Sequence, residues 1–169
     1  MNSVIVKAAK LIAACCLALY FYNCIRTPDN FHFIGGVNLL IHEAGHFIFM
    51  FFGDFIHVLG GSLNQVLIPA IFAVYFFLWR KEPFSGGIML MWMGESLAEV
   101  ANYAADAIVM QLPLLGGDNV IHDWNYLFSA LHVLPQTPGI SSAMYGMSYM
   151  IFAAGAAISI YSVFNKRNS

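Results

Sequence analysis

The sequence predicts an all-α integral membrane protein: a single domain over residues 1–169, a bundle of about five transmembrane helices with one short re-entrant or interfacial helix. Two observations support this prediction. Hydrophobic residues make up 60% of the 169 residues and charged residues only 9%, whereas soluble domains average about 25% charged residues. The apolar residues are grouped in segments long enough to cross a bilayer, with basic residues at the segment ends. We therefore expect a multi-pass protein in contact with membrane lipid.

The first three helices are placed by apolar length and by the residues that interrupt it. The first is expected over residues 4–24 and is closed by a turn that contains Pro28. The second is expected over residues 31–52, which include no lysine or arginine. A loop around the Gly-Gly-Ser sequence at residues 60–62 is expected to lead into a third helix over residues 63–79.

The second half of the chain contains two long apolar segments and one short one. The fourth helix is expected over residues 87–110 and the last over residues 141–164. Between them lies a polar region at residues 112–124 that is punctuated by glycine and proline. A short apolar segment at residues 125–134 follows it. This segment is too short to span a bilayer, so we expect a re-entrant or interfacial helix there.

The sequence His-Glu-Ala-Gly-His at residues 42–46 is the strongest chemical signal in the chain. His42 and His46 are four residues apart, so on a helix their imidazoles lie on one face and can bind a single zinc ion. Glu43 starts on the adjoining face, the usual position of a general base that takes a proton from water at the metal. Because ionisable groups inside a membrane are costly unless they have a function, the motif is more informative here than on a soluble helix.

Four polar residues of the predicted fourth helix form a second pattern. They follow one another at spacings of four, three and four, which places them on one helix face: Glu95, Glu99, Asn102 and Asp106. Such a face must point to the bundle interior or to a wet cavity. We expect it to support the metal ligands or to line a channel to them. A structural network and direct metal ligation are the alternatives. Asn38, one turn before His42, is expected to take the same supporting role.

Two histidines do not complete a catalytic zinc site, which takes three protein ligands and leaves one position open. His122 and Asp123 are the preferred source of the third ligand, because a glycine-broken segment before them can return to the depth of the metal. Since the two are adjacent, we expect one to bind the metal and the other to orient it or to cap the short helix. Glu95 and Asp106 are the alternative ligands.

The chain resembles the integral-membrane zinc metallopeptidases of the site-2 protease type, and among them a group of small members. The segments that carry the resemblance are residues 38–53 with the His-Glu-Ala-Gly-His motif, and residues 103–107, 112–117 and 122–126. The likeness extends over residues 38–131. In that family the third ligand is an aspartate in a Leu-Asp-Gly motif, and this chain contains no Leu-Asp-Gly sequence.

The resemblance implies a membrane-embedded metallopeptidase domain that uses Zn²⁺ to hydrolyse peptide bonds in or beside the bilayer, with Glu43 as the base. Its partner would be a transmembrane or membrane-proximal protein substrate. Two alternatives use the same residues: a non-catalytic membrane subunit that retains the motif, and a membrane metal-handling protein. A hydrolase needs Glu43 as a base, whereas a transporter needs only the ligands. The net charge of −2 and the lack of a basic stretch exclude nucleic acid as an expected partner.

Overall fold

The structure is a computed structural model that describes residues 3–113, 115 and 121–165. Over these residues it contains six α-helices, two short 3₁₀ turns and no strand. The helices are α1 (Ser3–Arg26), α2 (Phe33–Phe49), α3 (Asp54–Leu78), α4 (Pro83–Ala105), α5 (Asp123–Ala130) and α6 (Thr137–Phe164). The predicted all-helical class is therefore confirmed. The glycine pair at 116–117, part of the expected re-entrant segment, lies outside the described residues.

Four helices are long and apolar enough to cross a membrane. They cover Val4–Arg26, Phe33–Phe52, Asp54–Leu78 and Leu134–Phe164. Their outward faces carry many large exposed apolar side chains, as expected where the neighbour is lipid and not water. These four helices indicate a multi-pass membrane protein whose outer surface contacts lipid. The expected number of about five spans and the expected re-entrant helix stay predictions.

The fourth helix forms the centre of the molecule. α4 packs against α6, α3 and α1, and ten of its residues are buried. It approaches α6 closely because both helices carry glycine at the contact: a Cβ on Gly155 would lie 2.5 Å from the carbonyl oxygen of Gly87. Small residues let membrane helices pack backbone to backbone in this way. The polar residues of α4 are therefore held inside the bundle.

The loop predicted around Gly60, Gly61 and Ser62 is wrong, because these residues lie inside α3. They are buried where α2 crosses α3, and a Cβ added to Gly45 of α2 would collide with the carbonyl oxygen of Gly60. Glycine normally weakens a helix by about 1 kcal/mol relative to alanine. Here the close approach of the two helices requires it, so tertiary packing outweighs the local preference.

Several predicted helix ends are displaced, and proline accounts for two of them. α4 begins at Pro83 and not at residue 87, and α6 begins at Thr137, followed by Pro138, and not at residue 141. Proline fits the first turn of a helix because its missing N–H has no partner there in any case. α4 ends at Ala105, so Asp106 caps the helix instead of belonging to it.

Candidate metal centre

Three side chains from distant parts of the chain converge on one point. Oδ2 of Asp123 lies 3.0 Å from Nε2 of His42 and 3.2 Å from Nε2 of His46. The three ligand atoms all lie within 4.8 Å of one another. His42 and His46 stand one turn apart on α2, and Asp123 is the first residue of α5. Among the described residues, this is the one group whose His, Cys, Asp or Glu atoms are close enough to hold an ion.

The backbone and burial of Asp123 fix its carboxylate. Its N–H donates a hydrogen bond of 3.1 Å to the hydroxyl oxygen of Tyr103 on α4. The residue is 8% exposed. Asp123 lies outside the spanning helices, and its carboxylate faces both histidines.

Each histidine is held in one tautomer by an oxygen atom that faces its Nδ1. Nδ1 of His42 lies 3.2 Å from Oε1 of Gln65, and Nδ1 of His46 lies 3.0 Å from the backbone oxygen of His57. An amide oxygen and a backbone carbonyl accept hydrogen bonds, so both Nδ1 atoms carry the proton. The lone pair of each neutral imidazole is then on Nε2 and points at the carboxylate of Asp123. Each of these three atoms can therefore donate an electron pair to a metal ion.

This donor set suits a zinc ion. Two neutral imidazoles and one carboxylate form a common ligand set for catalytic zinc, with a fourth position left for water or substrate. Donor atoms around tetrahedral zinc, at bond lengths of about 2.0–2.2 Å, stand roughly 3.3 Å apart. The separations of 3.0 and 3.2 Å between Asp123 and the two histidines are close to this value. Histidine ligands whose Nδ1–H is anchored by a protein oxygen are also typical of zinc sites.

Glu43 and the three converging residues line the same cavity. This cavity has a volume of about 980 Å³, and the side chain of Glu43 is exposed to it. Its wall combines apolar side chains with carboxylates; the acids are Asp29, Glu43, Asp54, Glu99 and Asp123. None of the lining residues that the structure describes is lysine or arginine. A water molecule or a polypeptide segment can therefore reach both Glu43 and the cluster.

His122 and Asp106 lie beside the cluster but face each other. His122 is the N-cap of α5, where its Nδ1 accepts a 3.3 Å hydrogen bond from the backbone N–H of Asn125. Its Nε2 lies 3.3 Å from Oδ2 of Asp106. The carboxylate of Asp106 also accepts hydrogen bonds from the backbone N–H groups of Gln111 and Leu112. Asp123 therefore contacts the two histidines of α2, whereas the adjacent residue His122 caps the beginning of α5.

The remaining predicted site residues lie behind the cluster or on the cavity wall. Nδ2 of Asn38 donates hydrogen bonds to Oε2 of Glu95 at 2.9 Å and to Oε2 of Glu99 at 2.7 Å. Neither glutamate is among the three converging ligands. Asn102 lines the cavity, and its Oδ1 accepts a hydrogen bond from the hydroxyl of Tyr145 on α6. The predicted polar face of α4 is therefore divided: Glu95 lies in the bundle interior, and Glu99 and Asn102 line the cavity.

Two residues that shape the site have no recognisable signal in the sequence. Gln65 orients His42, but it has no spacing relation to the motif. Gly61 packs against the ligands: a Cβ there would lie 2.5 Å from Nε2 of His42 and 2.6 Å from Nε2 of His46. Both residues are on α3, so their roles depend on how α3 crosses α2.

No protein-family model matches the chain, and no curated protein or solved structure is significantly similar to it. The chemistry of the site is therefore inferred from its own geometry.

Proposed function

We propose that the protein is an intramembrane zinc metallopeptidase that hydrolyses peptide bonds in or beside the bilayer. One observation carries the proposal: the Nε2 atoms of His42 and His46 and a carboxylate oxygen of Asp123 converge in a cavity that Glu43 also lines. These three atoms would hold a metal cation. Zinc, when bound, would lower the pKa of water towards neutrality and polarise a carbonyl group.

In this proposal Glu43 moves the proton. Its carboxylate accepts a proton from the attacking water as the oxygen bonds to the carbonyl carbon of the substrate. When the C–N bond breaks, Glu43 returns this proton to the leaving nitrogen, so that an acid and an amine are released. His42, His46 and Asp123 stay fixed during these steps, held by Gln65, by the carbonyl of His57 and by Tyr103. Such preorganisation favours catalysis because no ligand has to be reoriented.

The cavity favours an unfolded polypeptide segment as substrate. A helical segment hides its carbonyl groups in its own hydrogen bonds, so a transmembrane substrate must unwind before it can be cleaved. Apolar wall residues such as Phe31, Leu39 and Ile121 can contact apolar side chains. The four carboxylates other than Asp123, and the lack of lysine and arginine among the described lining residues, favour lysine or arginine in the substrate over aspartate or glutamate.

The position of Glu43 favours a hydrolase over the alternatives. A metal-handling protein would need the ligands alone, and a non-catalytic subunit would not need a carboxylate open to the cavity. The glutamate directly follows the first ligand histidine and reaches the space where a substrate would bind. This arrangement supplies a ligand set and a separate base, which hydrolysis requires and metal transport does not.

The test is cleavage by the purified full-length protein in lipid vesicles. The probes are peptides with one transmembrane segment flanked by lysine, and new termini are identified by mass spectrometry. We expect cleavage by the zinc-loaded protein, loss of cleavage after chelation, and recovery when zinc is added back. The Glu43→Gln variant should retain zinc without cleaving. Cleavage that is unaffected by chelation and by Glu43→Gln would overturn the proposal.

A further inference from the structure

We infer that Glu99 is a half-buried carboxylate that acts on the metal centre through Gln65, and that the buried Glu95 beside it is a neutral carboxylic acid. Both are positioning residues, because neither reaches the reacting atoms. The inference rests on the proposed metal site at His42. It goes further by assigning a role to a polar network that lies behind the ligands.

Gln65 connects His42 to Glu99. Its Oε1 lies 3.2 Å from Nδ1 of His42, and its Nε2 donates a 3.0 Å hydrogen bond to Oε2 of Glu99. An amide can satisfy both contacts in only one of its two orientations. If the amide were flipped, its nitrogen would face Nδ1 of His42 and its oxygen would face the carboxylate. Glu99 therefore fixes the amide of Gln65, and the amide fixes the proton of His42 on Nδ1.

Glu99 is surrounded by donors, as expected for the ionised member of the pair. Its Oε2 accepts hydrogen bonds from Nδ2 of Asn38 at 2.7 Å and from Nε2 of Gln65 at 3.0 Å. Asn38 is fully buried, and its own Oδ1 accepts hydrogen bonds from Trp92 and Ser96. The orientation of the Asn38 amide is thereby fixed as well, so that its NH₂ group is directed at the glutamates. Charge-assisted hydrogen bonds of this kind are about twice as strong as neutral ones.

Glu95 is in a different environment. Its side chain is 0% exposed, its Oε2 accepts one hydrogen bond from Asn38, and its Oε1 is buried without a hydrogen-bond partner. A second unpaired carboxylate so close to Glu99 would be opposed by both desolvation and repulsion. A proton on Glu95 removes both costs, and Oε1 is the buried oxygen that has no partner to stabilise a charge. The pair then carries one negative charge.

The network has a consequence for the metal. A carboxylate that acts on a ligand imidazole strengthens the ligand and fixes its tautomer, and loss of such a partner typically lowers metal affinity about 10- to 100-fold. Here an amide lies between the carboxylate and the imidazole. The negative charge of Glu99 and the amide of Gln65 are thus expected to act as one unit, whereas Glu95 contributes a neutral hydrogen-bond donor.

The test measures zinc affinity by chelator competition in the purified full-length protein. We expect Gln65→Leu and Glu99→Gln each to weaken zinc binding about 10- to 100-fold. Glu95→Gln is the matched control. It should bind zinc within about threefold of the wild type, because a neutral amide then replaces a neutral acid. In the Gln65→Leu background, Glu99→Gln should have little further effect, because the two residues act through the same contact.

Infrared difference spectroscopy provides a readout that needs no change in metal affinity. The wild type should show the C=O stretch of a protonated carboxylic acid, and the band should disappear in Glu95→Gln. A missing band, or a band that survives this substitution, would overturn the assignment even if a Gln65 variant failed to fold.

Additive effects of Gln65→Leu and Glu99→Gln on zinc affinity would overturn the pathway through Gln65. If His42→Ala loses zinc but Gln65→Leu and Glu99→Gln do not, this inference fails and the metal site stands. If His42→Ala binds zinc like the wild type, both proposals fail.

Discussion

Oδ2 of Asp123 lies 3.0 Å from Nε2 of His42, although 81 residues separate the two in the chain. α2 supplies the histidine, and the beginning of α5 supplies the carboxylate. Tyr103 of α4 accepts a hydrogen bond from the backbone of Asp123 and holds the start of α5 at this depth. The candidate metal centre therefore depends on three helices being packed at once, and metal binding should be coupled to folding.

The adjacent residues His122 and Asp123 are expected to behave differently on substitution. Asp123→Ala removes a ligand atom and should release zinc, as should His42→Ala and His46→Ala. His122→Ala should retain zinc and cost about 1 kcal/mol of stability, because it removes the N-cap of α5. Elemental analysis measures bound zinc. Thermal unfolding, with and without a hundredfold excess of zinc over Kd, should show a stabilisation of about 2.7 kcal/mol for the wild type.

The reverse result would assign the ligand differently. If His122→Ala releases zinc while Asp123→Ala retains it, the third ligand is the histidine. If only Glu95→Ala releases it, the ligand is the glutamate of α4. Zinc that is unchanged in both His42→Ala and His46→Ala would contradict a metal site at the motif.

Glu43→Gln is expected to separate chemistry from metal binding. Glutamine has nearly the same shape, but it cannot accept the proton, and removal of a positioned base typically lowers turnover about 10²- to 10⁴-fold. Because Glu43 is not one of the converging ligands, zinc content and thermal stability should match those of the wild type. The measurement is turnover of a cleaved peptide at saturating concentration, with zinc determined in the same preparation. Wild-type turnover would exclude Glu43 as the base, and loss of zinc would make the residue structural.

The positions that the sequence predicts well are those set by local periodicity. His42 and His46 lie on one face of α2, as a spacing of four requires, and on α4 Glu95 is buried while Glu99 lines the cavity. The third ligand could be narrowed only to four residues, because the contact between Asp123 and His42 depends on the path of the intervening chain. No helical spacing relates two residues on different helices.

The wrongly predicted loop at residues 60–62 and the missed role of Gln65 have a common physical cause in helix packing. Gly60 and Gly61 are expected to interrupt a helix when their local preference alone is considered, yet they allow α2 to approach α3. Gln65 was missed because a single glutamine in an apolar helix does not indicate which residues its side chain contacts. Its role appears only when α3 places it between His42 and Glu99.

Gly61→Ala is expected to disturb the metal centre without removing any ligand. The added Cβ would lie 2.5 and 2.6 Å from the two Nε2 atoms, so the imidazoles or α3 must move. Overpacking of this kind costs roughly 1–3 kcal/mol, and we expect weaker zinc binding. Gly146→Ala on α6 is the matched control, because nothing lies within 4 Å of its added Cβ. Chelator competition on both variants is the measurement, and equal zinc affinity would mean that the site does not require the contact of Gly61.

The charge of the cavity should determine which peptides are cleaved best. Asp29 and Asp54 are exposed acids on its wall, and neither is among the converging ligands. Asp29→Asn and Asp54→Asn are expected to raise KM for a lysine-containing peptide by a factor of about 1.4 to 5 each while kcat is unchanged, because exposed ion pairs contribute about 0.2–1 kcal/mol.

The same substitutions should reduce the preference for lysine over glutamate in otherwise identical peptides, and added salt should reduce it as well, since exposed charges are screened. Glu82→Gln serves as the control, because Glu82 is an acid outside the cavity wall and its carboxylate accepts a hydrogen bond from Ser85. If Glu82→Gln and Asp54→Asn shift KM equally, the effect belongs to the net charge of the protein. If lysine and glutamate peptides are cleaved equally by the wild type, the cavity does not select for charge. A change confined to Asp29→Asn and Asp54→Asn, lost at high salt, would place basic residues of the substrate against this wall.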